Sequence, residues 1–392
     1  MKYDFDAVIP RHGTDSLKWD ALERLFGDKD LLPLWVADMD FAAPPPVIAA
    51  LNKRAGHGVF GYTVCLPRYY EAVVQWMERR HGWAVDPRWI VFSPGVMPAL
   101  NLLVECLTEP GDGIIVQQPV YYPFMAAVRD HGRRLLNNPL VLDDGWYRMD
   151  FDGLARLARG QGARLMILCS PHNPVGRVWG REELRRLGDI CLDAGITVIA
   201  DEIHHDLVYP GLKHLPFASL SKDFLENAVT CTAPSKTFNL AGLQASNIII
   251  AHREKRRAFR AVLDKYGLSL PGSFAVTAVE AAYLHGGEWL DALMEYLSGN
   301  LAFLNDFIAR EMPEIKVIQP EATYLVWLDC RALGMDREGL QNFMRGSARL
   351  ALDDGFIFGS PEGDGFQRIN IACPRSTLEE CLDRFSKAVR CR

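Results

Sequence analysis

The feature that most constrains the fold is a run of alternating segments in the middle of the chain. "ARLMILCS" (163–170) is a short apolar block, "REELRRLGDICLDAG" (181–195) repeats Leu184, Leu187, Ile190, Cys191 and Ala194 at helical spacing, and "ITVIAD" (196–201) is apolar again. A strand, an amphipathic helix stopped by Gly195 and a second strand make a crossover unit, which joins parallel neighbours in one sheet. "WIVFSPG" (89–95), "GIIVQQP" (113–119), "AVTCTAP" (228–234) and "SNIIIAH" (246–252) supply more continuously apolar strands. Strands without polar alternation are covered on both faces. The expected fold class is therefore α/β, a mostly parallel sheet with helices on each side.

At 392 residues the chain exceeds what one core holds, since single cores stop growing at roughly 250–300 residues. From residue 286 the pattern changes to "EWLDALMEYLSGNLAFLNDFIAREM", then the alternating "ATYLVWLDC" and a last helix near 376–390, the makings of a smaller α+β lobe. The expected division is an N-terminal segment 1–47 joining the small domain, a large domain 48–285 and a small domain 286–392. A net charge of -6 gives no reason to expect nucleic acid. The nine cysteines include no C-x-x-C pair and read as free thiols of a reducing compartment. The acidic start "MKYDFD" has no apolar signal core, and no stretch of about 18 apolar residues would span a membrane, so the expected compartment is the cytoplasm.

Ligands of open parallel sheets bind beyond the carboxyl ends of the strands, and the notable polar residues lie there. "SPGVMPALNLLV" turns from strand to helix at Gly95, so the amides of Val96 and Met97 at the helix start offer a phosphate site, although any strand-to-helix turn looks similar. In "PVYYPF", prolines bracket two tyrosines, and one ring could be a stacking platform or simply close the core. Asn173, in "SPHNPVGR", could donate to a ligand oxygen or fix a turn. Asp201 ends an apolar strand, where a carboxylate needs a cation. His204 and His205 follow it, but neighbours in sequence diverge in space and no third ligand has suitable spacing, so no metal is expected. Lys236, in "APSKTFNLAGLQ", is the lone charge between Glu226 and His252, and a desolvated lysine loses its proton readily enough to be a nucleophile. A phosphate cradle, a ring, an amide, a carboxylate and a reactive amine on adjacent strand ends together describe a site for pyridoxal 5'-phosphate.

The order Asn173, Asp201, Lys236 resembles the fold-type-I pyridoxal-phosphate enzymes of the aminotransferase class I and II superfamily over essentially the whole chain. "GTDSLKWD" (13–20), "LWVADMDF" (34–41), "FGYT" (60–63), "DEIHHDLVY" (201–209) and "SKTFNLAGLQ" (235–244) look like the MalY/PatB group of cystathionine β-lyases, or C-S lyases. The resemblance implies a mostly parallel seven-stranded sheet and a catalytic set of Lys236, Asp201 and Tyr121. Lys236 would bind the cofactor aldehyde and remove the substrate Cα proton, Asp201 would pair with the pyridine nitrogen, and Tyr121 would stack on the ring. Asn173 would bond the ring's phenolic oxygen, with His204 beside the ring where many transaminases have a tyrosine. Val96, Met97 and Ser235 would hold the phosphate, joined by Tyr62 of a neighbouring subunit in a homodimer, and Arg368 in "FQRINIACPR" would clamp the substrate carboxylate. Many transaminases carry an arginine at the position of Gln244, which tilts the expectation from transamination to β-elimination of L-cysteine S-conjugates. The alternatives are a class I/II aminotransferase and, as an added role, binding of a transcription factor.

Overall fold

The computed structural model describes residues 3–160 and 162–392; the first two residues of the N-terminal segment and Gln161 lie outside this description. Seven strands form the main sheet: β1 (Ile90–Ser93), β2 (Gly113–Val116), β3 (Arg134–Asn137), β4 (Ala163–Cys169), β5 (Thr197–Asp201), β6 (Ala228–Thr232) and β7 (Ser246–Ile249). Their spatial order is β1-β7-β6-β5-β4-β2-β3. β2, β3, β4, β5 and β6 pair in parallel, as the crossover pattern requires. The helix predicted over 181–195 runs Arg181–Asp193, buries Leu184, Leu187 and Cys191, and is followed by Gly195 at φ 66°.

β1, β2 and β6 are buried at every residue, and β4 and β5 each carry a single less-covered position. Each fully buried Ile, Leu or Val in them contributes about 1.5–3 kcal/mol relative to exposure. Strands enclosed on both faces are thus the most strongly held elements. β7 differs from the parallel expectation: it runs antiparallel to both β1 and β6. The connection 233–245 contains a four-residue helix, Pro234–Thr237, and one 3-10 turn, too little for a parallel crossover. As a consequence the start of β7, with Gln244 and Ala245 just before it, lies at the same sheet edge as the carboxyl ends of the other strands.

The C-terminal part contains the helix Gly287–Glu311, a sheet of β8 (Lys316–Ile318), β9 (Leu325–Asp329), β10 (Asp353–Asp354) and β11 (Phe366–Asn370) in the order β8-β9-β11-β10, and the helix Arg375–Arg390. β9 corrects the alternating expectation for 322–330. All five of its residues are buried, because the strand is central in its sheet and Trp327 stacks on Phe366 with ring centroids 5.2 Å apart. The N-terminal segment is tied to this part by backbone bonds: Leu32–Pro33 pairs in parallel with Leu350–Ala351, and the Asn370 amide donates to the Leu34 carbonyl at 2.9 Å. Among the described residues no helix is long and apolar enough to cross a membrane.

Candidate active site

The carboxyl edge of the main sheet opens into a cavity of about 270 Å³. Val96, Met97, Tyr121, Asn173, Asp201, His204, Ser235, Lys236 and Gln244 all line it, residues drawn from the ends of β1, β2, β4, β5 and β6 and the start of β7. Of the residues singled out from the sequence, Arg368 and Tyr62 stand outside that lining.

Lys236 sits in the one-turn helix Pro234–Thr237, which begins two residues after β6 ends. Its Nζ donates to the carbonyl oxygen of Ala37 at 2.8 Å. Burial pulls its pKa down to about 8, with Arg368 adding to the fall and Asp38 and Asp201 opposing it. An amine so placed is partly neutral near pH 8 and can act as nucleophile or base.

The Ala37 carbonyl has its own support, and this gives the N-terminal signature a physical meaning. Arg11 forks onto Asp38, with contacts of 2.6 and 3.1 Å, and reaches Asp40 Oδ1 at 2.7 Å. Lys18, fully buried, donates to Asp40 Oδ2 at 2.6 Å, and Trp19 Nε1 reaches Asp40 Oδ1 at 3.1 Å. Asn239, three residues past Lys236, receives the Met39 amide at 3.0 Å and donates to the Met39 and Phe41 carbonyls at 2.9 Å each. Buried ions held this way are costly to break apart, so the segment 37–41 is a fixed wall against which the lysine is aimed.

Asp201 is the last residue of β5 and is 3% exposed. Burial pushes its carboxyl up to about 7; the Ile203 amide, 3.1 Å from Oδ1, and the charge of Lys236 pull the other way. A carboxyl this poorly solvated favours any cation placed in the cavity. His204 is buried, its ring centroid 6.2 Å from that of Tyr324, and its Nδ1 has no hydrogen-bond partner among the described residues. Desolvation holds this imidazole neutral, well below its usual range. Burial raises the phenol of Tyr121, which meets Phe124 edge-on at 5.6 Å.

The cavity floor near β1 is backbone. Gly95 precedes the helix Val96–Leu107, whose first amides no side chain caps. Such amides with the helix dipole form an anion site. Gly95 has φ 115° and ψ 158°, and an added Cβ would stand 3.3 Å from Pro98 Cδ. Gly95→Ala is therefore expected to destabilise the chain by about 1–3 kcal/mol, read as a lowered melting temperature; an unchanged Tm would show that the loop relaxes freely.

Arg368, in β11, is buried behind Asn173 rather than on the cavity wall. Its Nη1 donates to Asn173 Oδ1 at 2.9 Å, Nη2 donates to the Trp35 carbonyl at 2.8 Å and also pairs with Asp353, while Nε has no partner among the described residues. A buried guanidinium with one donor open suits a carboxylate arriving from the cavity. Tyr62 is 97% exposed, in a segment 57–66 that is almost wholly outside helices and strands and also leaves Val59, Phe60, Val64 and Leu66 exposed. Within one chain it does not reach the site. Sequence reasoning missed the Ala37 carbonyl, Cys169, Tyr324 and Asp353; only the "LWVADMDF" signature pointed toward the first of these.

The aminotransferase class I and II family pattern matches residues 29–385. The chain is 49% identical over 386 residues to the cystathionine β-lyase PatB of Bacillus subtilis strain 168, covering 98% of this chain and all of that one. It is 37% identical to the protein MalY of Escherichia coli K12, over 99% of each. Among solved structures it superposes on cystalysin of Treponema denticola, which contains pyridoxal 5'-phosphate, with a TM-score of 0.96 and 40% identity over 100% of this chain and 99% of that one. A seven-stranded sheet with a lysine, an aspartate and an asparagine at its carboxyl edge, and kinship along nearly the full length, lead to one conclusion: the chain belongs to the aminotransferase class I and II family, with the fold-type-I architecture.

Proposed function

We propose that this chain is a pyridoxal-phosphate-dependent carbon–sulfur lyase, releasing pyruvate, ammonia and a thiol from L-cysteine S-conjugates such as cystathionine. The observation that carries the reading is Lys236, an amine with its pKa lowered to about 8, facing the same cavity as the buried carboxyl of Asp201. Kinship with PatB, named as a cystathionine β-lyase, supports the substrate class, and kinship with cystalysin, which contains pyridoxal 5'-phosphate, supports the cofactor.

The residues present fit that cofactor. The uncapped amides of Val96 and Met97, with Ser235, would hold its phosphate; Tyr121 would lie on its ring; Asn173 would bond its phenolic oxygen; Asp201, whose burial calls for a cation, would keep its pyridine nitrogen protonated. His204 would add a neutral imidazole at the ring's edge. When bound, pyridoxal phosphate supplies a ring that takes up the electron pair left when the substrate Cα loses its proton. Lys236, largely neutral above its lowered pKa, accepts that proton, and Arg368, whose buried Nε has no partner among the described residues, would receive the substrate carboxylate as Asn173 makes way. The Cβ–S bond then breaks with its electrons on sulfur, and a thiol of pKa about 8.5 is a good leaving group without much assistance. Gln244, on the cavity wall, adds no positive charge to the phosphate end, which sets this site apart from the arginine-bearing transaminases.

The exposed apolar segment 57–66 supports a homodimer in which Tyr62 completes the phosphate site across the interface. The same reading divides the chain into a large domain 48–285 and a small domain 286–392 joined by the N-terminal segment, and places it in the cytoplasm, where free thiols persist. A panel of cystathionine, cysteine and aryl-cysteine conjugates, scored for pyruvate without any added keto acid, tests the function. Pyruvate is expected from at least cystathionine; none from any sulfur substrate would overturn the proposal.

A further inference from the structure

Behind the turn that carries Lys236, a second group of titratable side chains is buried together. His81, the last residue of the helix Pro67–His81, places Nε2 2.8 Å from Asp206 Oδ1, and His205 places Nε2 3.0 Å from Asp206 Oδ2. The rings of His81 and His205 are 4.4 Å apart between centroids, and that of His214 lies 5.7 Å from the first and 6.1 Å from the second. One ligand-capable atom from each of His81, His205 and Asp206 lies within 4.8 Å of the other two. A cavity of about 480 Å³ opens onto them, lined by His81, His205, Asp206 and His214 together with Tyr209 and Lys213.

Hydrogen bonding within the protein accounts for only part of this arrangement. Asp206 is well supplied, by Trp76 Nε1 at 3.1 Å and Thr237 Oγ1 at 2.8 Å besides His81. His205 is fully buried, and its Nδ1 has no hydrogen-bond partner among the described residues. Its Nε2 pairs with Asp206 Oδ2 at 3.0 Å. His214 is in the same state, 3.1 Å from a Glu202 oxygen that also lacks a hydrogen bond. Buried imidazoles without partners cost roughly 1–3 kcal/mol each, and a ligand that takes their lone pairs removes that cost.

We propose that His81, His205 and Asp206 form a binding site for a divalent transition metal of the zinc class, with the fourth coordination position facing the cavity. Imidazole and carboxylate together suit zinc and its neighbours rather than magnesium or calcium, which take mostly oxygen. Tetrahedral zinc with bonds near 2.0 Å sets its ligand atoms about 3.3 Å apart, and one ligand atom from each of the three residues already lies within 4.8 Å of the other two. The three ligands come from a helix end and from the loop after β5, and Asp206 also holds Thr237, the neighbour of Lys236. The metal would therefore clamp the turn from behind without touching the cavity that holds the lysine. His204 and His205 do diverge in space, as their adjacency implied. The third ligand comes from His81, far upstream, where no sequence spacing would reveal it.

The test uses the full chain as purified, stripped with EDTA and dialysed against buffered free Zn²⁺, with bound metal measured by mass spectrometry. One equivalent per chain is expected for the wild type. His81→Gln and His205→Asn, each checked for an unchanged near-UV circular dichroism spectrum, are expected to weaken zinc binding by roughly a hundredfold. Substituted Co²⁺ is expected to show tetrahedral d–d absorption without a thiolate charge-transfer band, which excludes the cysteines as the ligands. Sub-stoichiometric zinc in the wild type, undiminished binding in both folded variants, or a thiolate band would each overturn the proposal. Because the readout is metal content and spectrum, its failure leaves the lyase assignment untouched.

Discussion

Replacing Lys236 by alanine is expected to reduce pyruvate release from cystathionine by about 10⁴-fold, because in the proposed reaction one side chain serves as both cofactor anchor and proton acceptor. Its amine is held by the Ala37 carbonyl at 2.8 Å and has its pKa lowered to about 8 by desolvation. Lys236→Arg separates charge from reactivity. Arginine keeps the positive charge but stays protonated at any working pH, so it is expected to be as inactive as alanine. The measurement is steady-state pyruvate release beside the visible absorbance of the bound cofactor. Activity within tenfold of wild type in either variant would mean that another group does the chemistry.

Asp201→Asn is expected to lower kcat/KM by about 10³-fold, since losing one partner of a buried ion pair costs roughly 3–5 kcal/mol. The same change is expected to stabilise the cofactor-free chain, and the pH dependence gives the sign. The folded-state carboxyl of Asp201 is raised to about 7 from an ordinary value of 3.8 by burial. A raised folded pKa means that the folded form prefers the protonated group. Its stability contribution is therefore full below about pH 3.8 and is lost as pH rises toward 7. Asparagine does not ionise, so the melting temperature of the variant minus that of the wild type is expected to grow from pH 5 to pH 8. A difference that stays flat, or shrinks, would show that Asp201 already has its cation without the cofactor. Lower activity with higher stability is the signature of a group held in place for chemistry at the fold's expense.

Much of this architecture was legible because enclosed strands leave an unmistakable record. "ARLMILCS" and "ITVIAD" have no room for alternating polar residues, and the helix between them shows its buried stripe. β3 was not legible as a strand. It is an edge strand, begins with an exposed arginine and buries only Leu136. The direction of β7 was also hidden, since an apolar run does not state which way it points. The short helical turn after β6, which holds Lys236 in place, is what prevents a crossover there.

At the site, the side chains that end strands were readable because an ion or amide after an apolar run is costly without a purpose. Asp201, Lys236 and Asn173 all meet at one cavity. Contributions that depend on backbone or on distant segments were not readable. The Ala37 carbonyl has no sequence identity, Asp353 meets Arg368 from the neighbouring strand, and His81 meets Asp206 from the far end of a helix. Tyr62 marks a different limit, since it is exposed in one chain and the role proposed for it requires a second copy.

The most direct test of the central claim is a turnover count with cystathionine as the sole substrate and no keto acid present. An elimination at Lys236 regenerates the enzyme each cycle, so pyruvate, ammonia and homocysteine are expected in equal amounts, continuing far beyond one equivalent per chain. A transaminase would instead release at most one equivalent of the keto acid of cystathionine, with no homocysteine and no ammonia, and would stop until a keto acid was supplied; that result would contradict the account.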